Sequence, residues 1–291
     1  MTVIIVSSLE DTASTTIKES LLQQTPWQTI NEFQNNPVYR HTTDQDIYLI
    51  TITDSTIHHE HLDQEITQTL HITPTQLIFI SRHRSQLGEP SLTVHPIGNY
   101  GLAEFGGRPH TLVPTAPRLM THLLRLIKKN LQNTTLTHHV CYEVTHHGPS
   151  LETPTFYTEV GSTETEWKKQ EPAHVIAQSL LELLTTYRHE KDLPKNIPVL
   201  VGIGGGHYAP RFTELTFQKN IAFGHMIPSY HIEGGNITPE MIQKTMDATP
   251  NVQGIYLHKK ALKKSQITEY KHWCKDLDIP LVSSKELPDL T

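Results

Sequence analysis

Residues 199–207 read Val199-Leu200-Val201-Gly202-Ile203-Gly204-Gly205-Gly206-His207, and this stretch indicates the fold most clearly. A short apolar run rich in β-branched residues and stopped by glycines is typical of a strand buried on both faces of a parallel sheet. The three consecutive glycines predict a tight turn just beyond the carboxyl end of that strand. Ligands of open α/β sheets bind at such ends, so the same stretch also marks a candidate site.

The rest of the sequence repeats this pattern of apolar runs separated by helical periodicity. Apolar runs predict strands at residues 2–7, 47–52, 76–80, 139–144, 198–203, 221–227, 253–257 and 279–282. Apolar residues at helical spacing predict helices at residues 12–23, 60–70, 117–131, 172–187, 238–248 and 263–277. Alternation of the two implies an α/β fold, a three-layer structure with a mostly parallel sheet flanked by helices. We predict a single α/β catalytic domain spanning residues 1–291.

Two long stretches, residues 82–116 and 146–171, lack this alternation. Both contain several glycines or prolines together with scattered aromatic residues. Loops of this length are usually functional or disordered, and the aromatic residues favour order. We therefore predict long functional loops at these positions.

Composition limits the classes of protein to which the chain can belong. It has 291 residues, a formal net charge of −6 and two cysteines, Cys141 and Cys274, both in apolar runs. A chain of this length buries about three quarters of its unfolded surface, so it needs no disulfide to form a core. The cysteines and an N-terminus without a basic leader predict a cytoplasmic protein with no membrane segment. The negative charge argues against a general nucleic-acid coat, so we expect RNA contacts to be local. We also expect no DNA partner and a monomer.

Two predicted strand ends carry side chains suited to catalysis. One strand contains Glu143 and is followed by His146 and His147, while the other is followed by the glycine run and His207. Histidine can act as a base or a metal ligand, and nearby carboxylates, here Glu143 and Glu214, can orient a histidine or a water. Glycine N–H groups, here those of Gly204, Gly205 and Gly206, can stabilise an oxyanion. The alternative, in which the histidines are structural and the glycines only permit a turn, stays open at this stage.

A metal site is a second hypothesis for these histidines. His146, His207 and His225 are the candidate ligands, because zinc accepts imidazole nitrogen. Their spacing matches neither H-E-x-x-H nor a finger motif. The sequence also lacks a G-x-S-x-G elbow, which argues against a serine esterase.

Basic residues form a few local clusters that could bind phosphates. Arg118 lies on a predicted helix face with His122, Arg125 and Lys129, opposite an apolar face. Arg82 and His83 follow a predicted strand, and a tighter cluster contains Lys259, Lys260, Lys263 and Lys264. A single cluster of this kind is more often a solvated helix face, so only convergence of the clusters on one side would indicate an RNA site.

Several blocks of the sequence resemble the archaeal and plant type of D-aminoacyl-tRNA deacylase. They are Ser81-Arg82-His83, His95-Pro96-Ile97-Gly98-Asn99, the runs 143–149 and 202–214, Glu159-Val160-Gly161-Ser162-Thr163, Gly224-His225 and the segment 256–260. With this order and spacing, the resemblance covers nearly the whole chain. The resemblance implies a fold similar to phosphorylases and peptidyl-tRNA hydrolase. It also implies a zinc-dependent hydrolase that removes D-amino acids, or glycine, from tRNA in translation proofreading.

Two alternatives follow from the same residues. The chain could be a non-catalytic module that binds a tRNA end or a nucleotide, with phosphate held by the glycine run. By analogy of fold alone, it could be a nucleoside phosphorylase-like enzyme. Hydrolysis of a D-aminoacyl ester without phosphate would eliminate both.

Overall fold

The computed structural model describes residues 2–187 and 196–290 as an alternation of strands and helices. Its strands are β1 Val3–Ser8, β2 Trp27–Phe33, β3 Asn36–His41, β4 Ile47–Ile52, β5 Gln76–Arg84, β6 Ser91–Pro96, β7 Gly98–Asn99, β8 Thr111–Leu112, β9 His139–Tyr142, β10 Thr155–Ser162, β11 Val199–Ile203, β12 Ala222–Ile227, β13 Val252–Leu257 and β14 Leu281–Val282. Its helices are α1 Thr12–Gln24, α2 Leu62–Leu70, α3 Pro117–Leu131, α4 Glu164–Trp167, α5 Gln170–Thr186, α6 Pro210–Gln218, α7 Ser229–Glu233, α8 Pro239–Asp247 and α9 Lys264–Asp276. The predicted α/β class is confirmed. Among the described helices, none is long and apolar enough to cross a membrane.

The larger sheet has eight strands in the order β2-β3-β4-β1-β5-β10-β6-β9. Strands β4, β1, β5 and β10 run parallel to one another, β6 is antiparallel to β10, and β9 is parallel to β6. The chain leaves β1 for β4 on one side and then crosses to β5 on the other side. This reversal is a topological switch point, the place where open sheets bind ligands.

The four strands in the C-terminal third of the chain form a second, fully parallel sheet in the order β12-β11-β13-β14. The two sheets share a core, because one cluster of buried apolar side chains includes Ile78 and Leu92 of the first sheet and Leu200 and Phe223 of the second. Backbone hydrogen bonds also join the sheets, from Val144 N to His207 O at 2.9 Å and from Thr145 N to Met226 O at 3.1 Å.

The prediction of long loops at 82–116 and 146–171 is wrong in its main part. The first stretch contains β6 and the second contains β10, and every residue of both strands, which are interior strands of the large sheet, is buried. Their sequences hide this position because polar side chains such as Thr93, His95 and Glu159 alternate with apolar ones. Alternation of this kind is a strand pattern in which one face is polar.

The predicted basic face of α3 is also not a free surface. Arg118 is only 9% exposed and donates a hydrogen bond to Ile197 O at 3.2 Å. Arg125 donates to the carbonyl oxygens of Thr216, Lys219 and Ile221, three acceptors at or beyond the C-terminal end of α6. Arginine can bury its stem while its guanidinium supplies several donors, so a helical pattern alone cannot distinguish a buried arginine from a solvated one.

We expect Arg125→Leu to lower the free energy of unfolding by about 1–3 kcal/mol, because it leaves three partly buried carbonyl oxygens without their charged donor. Urea denaturation measures this change. The matched control is Lys129→Ala on the same helix, whose ion pair with Glu182 lies at the surface and should contribute no more than about 1 kcal/mol. Equal effects of the two substitutions would contradict the conclusion that Arg125 is a structural donor and not a surface cation.

Candidate active site

A cleft of about 320 Å³ lies at the switch point of the large sheet. Ser8 at the end of β1 and Ser81 and His83 near the end of β5 line it, together with His146, His147, Glu159 and His207. Sheet topology and sequence therefore place chemically active side chains at one crevice, as expected for an open α/β fold.

Strand register explains why several of these side chains share one face. Tyr157 and Glu159 of β10 lie two residues apart, and β6 pairs His95 with Tyr157. On the other side, β5 pairs Ser81 with Glu159. Because side chains alternate between faces, His95, Tyr157 and Glu159 project to the same side of the sheet. The strands missed by sequence analysis thus supply part of the site.

Glu143, which follows β9, is the centre of the cluster. Its side chain is fully buried, and its Oε2 lies 3.0 Å from Nδ1 of His83 and 2.8 Å from Nε2 of His207. Nε2 of His146 lies 3.6 Å from the same oxygen. One buried carboxylate therefore joins residues of β5, of the turn after β9 and of the glycine turn after β11.

The cluster holds its histidines in two charge states. Burial lowers the pKa of the His83 imidazole, but hydrogen bonds and charge from Glu143 and Glu159 outweigh it and raise the pKa to about 11. Burial and the neighbouring His95 hold the pKa of His147 at about 4, and they hold that of His146 well below its usual value. Burial would raise the pKa of Glu143, yet hydrogen bonds from His207 and His83 hold it well below its usual range. A cationic imidazole and neutral imidazoles thus share one site.

Three histidines form a group of their own, namely His95, His146 and His147, whose candidate ligand atoms all lie within 4.8 Å of one another. In each of them Nδ1 is hydrogen bonded to a backbone carbonyl oxygen: that of Pro96 for His95, Val144 for His146 and Gly148 for His147. This arrangement leaves the three Nε2 atoms for a ligand. The Nε2 atom of His95 is buried and has no hydrogen-bond partner among the described residues.

His225 is not part of this site, which corrects its prediction as a metal ligand. Its side chain is fully buried on β12, with Nδ1 3.0 Å from Thr145 Oγ1 and Nε2 3.0 Å from Val113 O. Both ring nitrogens are therefore engaged in structural hydrogen bonds. Burial lowers its pKa to about 4, consistent with a neutral core histidine.

The glycine run supplies fewer free donors than its sequence suggests. The N–H of Gly204 donates to Ile227 O at 2.8 Å, and that of Gly205 donates to Ser229 Oγ at 2.9 Å. Neither can also serve an oxyanion, so the prediction is wrong for these two. Gly206 is exposed, directly precedes His207, and has no acceptor for its N–H within the described residues. It is the one member of the run left as a candidate donor.

The predicted basic clusters do not converge on the cleft. Arg82 lines the cleft beside His83, and its guanidinium lies 5.2 Å from the centre of the Trp167 ring. Lys259 and Lys260 are exposed on the turn after β13 and line a different cleft, while Lys263 and Lys264 are exposed beyond it. Glu214 is also outside the histidine cluster and pairs with Arg211 at 2.7 Å.

Sequence reasoning missed the roles of His95, Glu159 and Tyr208 in this site. Tyr208 OH lies 3.0 Å from Nε2 of His83, and Nε2 of His95 lies 3.7 Å from Oε2 of Glu159. His95 and Glu159 lie in the resemblance blocks, and the alternation of Leu92 and Val94 with polar residues was the physical signal of a strand with one polar face.

We expect the stability that His83 contributes to depend on pH. An unfolded histidine loses its proton near pH 6.5, whereas folded His83, with its pKa at about 11, keeps it. The stabilisation is therefore complete below pH 6.5 and decreases as pH rises toward 11. In denaturation experiments, His83→Gln should lower the free energy of unfolding by about 1–3 kcal/mol more at pH 6 than at pH 9. His272→Gln, on the exposed face of α9, is the control, and an equal or larger cost at pH 9 would refute this account.

Comparison with known proteins agrees with the resemblance read from the motifs. The profile of the D-aminoacyl-tRNA deacylase family matches residues 70–282. A D-aminoacyl-tRNA deacylase of Pyrococcus abyssi is 38% identical over 78% of this chain and 80% of its own length, and one of Thermococcus kodakarensis is 35% identical over 89% and 92%. The crystal structure of a conserved protein of unknown function, AF0625, matches with a TM-score of 0.87 and 29% identity, covering 99% of this chain and 98% of that one. The family match includes β5 to β14 and every residue of the cluster around Glu143, and the chain belongs to the D-aminoacyl-tRNA deacylase family.

Proposed function

We propose that this protein hydrolyses the ester bond that joins a D-amino acid, or glycine, to the 3′ end of tRNA, and so frees the tRNA for correct charging. The names of its relatives support this substrate. The observation that carries the proposal is the position of His207, whose side chain is 36% exposed at the cleft while its Nε2 contacts the buried Glu143. A solvent-accessible imidazole backed by a buried carboxylate is suited to activate a water.

The hydrogen bond to Glu143 fixes the His207 ring and occupies its Nε2. Donation by Nε2–H leaves Nδ1 to accept a proton from a water that attacks the ester carbonyl carbon. Protonated His207 is stabilised by the carboxylate and returns the proton to the 3′ oxygen of the tRNA when the tetrahedral intermediate collapses and the ester bond breaks. The N–H of Gly206, the residue before His207, is the candidate donor to the ester carbonyl oxygen, which becomes negative during the attack. An aminoacyl ester is already activated, so correct positioning supplies much of the acceleration.

The residues also fit a zinc ion, with His95, His146 and His147 as its ligands. In each of the three histidines Nδ1 is hydrogen bonded to a backbone carbonyl oxygen and Nε2 is left for a ligand, as is usual for metal-binding histidines. Three protein ligands leave an open position, as catalytic zinc sites do. When bound, zinc would polarise the ester and lower the pKa of water. Burial lowers the pKa of His95, but hydrogen bonding and charge from Glu159, whose Oε2 lies 3.7 Å from Nε2 of His95, outweigh it and raise the pKa, so His95 would also lose a proton before it bound the ion.

The other histidine-containing group, His83, Glu143 and His207, fits zinc less well. Its nitrogen and oxygen atoms are already paired with one another, and the carboxylates hold His83 protonated with a pKa of about 11. A metal ligand must first lose that proton. The ligand set that we propose therefore keeps His146 from the sequence-based set and replaces His207 and His225 by His95 and His147.

A rigid wall beside the cleft supports selection of the D form by steric exclusion. Phe105 and Ile57 line the cleft, and the backbone next to Phe105 is tightly held. Gly148 N donates to Phe105 O at 3.0 Å, and Gly107 N donates to Glu60 Oε1 at 2.7 Å. Gly106 has a positive φ of +76° and packs against the backbone of Ile57, so only glycine fits there. A fixed wall can exclude the mirror-image side chain, whereas attractive contacts alone would tolerate it.

The proposal includes a cytoplasmic, monomeric enzyme that acts on charged tRNA. Burial raises the pKa of both cysteine thiols, to about 11 for Cys274 and still higher for Cys141, consistent with unreactive cysteines in a reducing compartment.

We expect the purified protein to deacylate D-aminoacyl-tRNA at least about tenfold faster than the L form, since a steric difference of about 1.4–3 kcal/mol in the transition state gives this ratio or more. Release of labelled amino acid from tRNA charged with either enantiomer, in buffer without phosphate, measures it. Turnover under these conditions excludes a phosphorylase and a purely binding role. Equal rates on the two enantiomers would refute the proposed selectivity.

Histidine variants separate the proposed base from the proposed ligands. His146→Asn and His147→Asn should lose zinc, measured by a chromophoric chelator on the unfolded protein, and lose activity with it. His207→Asn should retain zinc and lose about 10²–10⁴-fold in single-turnover rate, the usual contribution of a general base. Loss of zinc from His207→Asn with retention in His147→Asn would assign the metal to the other group. Near-normal rates in all three would overturn the site assignment.

A further inference from the structure

The second sheet has a switch point of its own. The chain leaves β11 for β12 on one side and then crosses to β13 on the other side, so β11 lies between them. A cleft of about 530 Å³ opens at the carboxyl end of β13, between Leu257 and the N-terminal turn of α6. Open α/β sheets bind ligands at topological switch points, as at the first cleft, so a second ligand is expected at this position.

The lining of this cleft is cationic although the chain as a whole carries a net charge of −6. Its charged and polar residues are Arg211, Glu214, His258, Lys259, Lys260, Ser283 and Ser284. The cations Arg211, Lys259 and Lys260 outnumber the single carboxylate, Glu214. The hydroxyl groups of the two serines add neutral donors. Lys259 and Lys260 are exposed and have no ion-pair partner within the described residues. This donor set fits a phosphate group.

Arg211 is held in position by two side chains. Its Nε donates to Tyr256 OH at 3.1 Å, and its Nη1 donates to Glu214 Oε2 at 2.7 Å. The Arg211 side chain is 27% exposed, so the guanidinium N–H groups that are not used in these two hydrogen bonds can face the cleft. Fixing a guanidinium before a ligand arrives reduces the entropy lost on binding.

The glycine run connects the catalytic cluster to the second cleft. Residues 204–206 connect the end of β11 to His207, and a side chain at Gly205 would begin 3.3 Å from Nδ1 of His258. That nitrogen is buried and has no hydrogen-bond partner among the described residues. The two clefts thus lie on either side of one short, glycine-rich turn.

We propose that the cleft between α6 and the β13–α9 turn binds a phosphate of the tRNA acceptor end, close to the ester held at His207. This inference rests on the proposed function, because it identifies the tRNA-binding site beside the catalytic one. Arg211 gives directional hydrogen bonds, and Lys259 and Lys260 supply positive charge. Lys263 and Lys264 do not line the cleft, so the predicted lysine cluster is reduced to its first half.

Binding of deacylated tRNA tests the site without requiring hydrolysis. We expect the double variant Lys259→Gln/Lys260→Gln to weaken binding at least about tenfold in fluorescence anisotropy, and to reduce the slope of log K against log salt by about one, as for one lost phosphate contact. The matched control is Lys271→Gln/Lys275→Gln, which removes the same charge from exposed positions of α9 outside the cleft. Equal losses in the two double variants would overturn the proposal, because they would reflect net charge alone.

A minimal substrate separates a phosphate contact from damage to the catalytic site. The ester of a D-amino acid with the 3′ hydroxyl of adenosine has the scissile bond but no phosphate. The cleft variant should raise KM for D-aminoacyl-tRNA and leave kcat/KM for this adenosine ester unchanged. A parallel loss on both substrates would overturn the proposal.

A free nucleotide is the other source of the same chemistry. If the double variant lost binding of AMP or inorganic phosphate while binding tRNA normally, the cleft would be a small-anion site and the proposal would be wrong. If the protein failed to hydrolyse D-aminoacyl-tRNA but its tRNA binding still depended on Lys259 and Lys260, the proposed function would fail and the phosphate site would stand. The two failures are therefore distinguishable.

Discussion

A buried carboxylate is the constraint on which the site depends. Glu143 is fully buried, and an ionised carboxylate in that position costs several kcal/mol unless cations and hydrogen-bond donors compensate it. His83 and His207 supply that compensation, and each comes from a different part of the chain. The positions of β5, of the turn after β9 and of the glycine turn after β11 are thereby linked through one oxygen atom. The same contacts keep His83 charged and orient His207 toward the cleft.

The junction of the two sheets explains how these segments meet. Just after Glu143, the backbone of Val144 and Thr145 pairs with His207 and Met226 of the second sheet. The site is therefore built where the two sheets meet, and each sheet contributes a switch point. One crevice carries imidazoles and carboxylates suited to ester hydrolysis, while the other carries arginine and lysine suited to phosphate. A substrate with an ester beside a phosphodiester backbone needs both kinds of chemistry a short distance apart.

Prediction from sequence was accurate where apolar residues were continuous along a strand or recurred at helical spacing. Strand β4 and helix α3 were predicted with their observed bounds, because continuous apolar runs and helical spacing are strong signals. Strands β6 and β10 were missed because their inward faces carry Thr93, His95 and Glu159. The residues that make these strands functional also weaken the hydrophobic pattern that would reveal them. Conflicts between local pattern and fold are expected at functional sites.

The sequence by itself determined the α/β class, the family and the involvement of His146, His147, His207 and Glu143 in one region. These follow from local patterns and from motifs that are continuous in the chain. Only the tertiary structure decided that His225 and Arg118 are core residues, that two glycine N–H groups are occupied, and that His95 and Glu159 join the cluster. The physical reason is that burial, ring orientation and hydrogen-bond partners depend on residues distant in sequence, which no local spacing records.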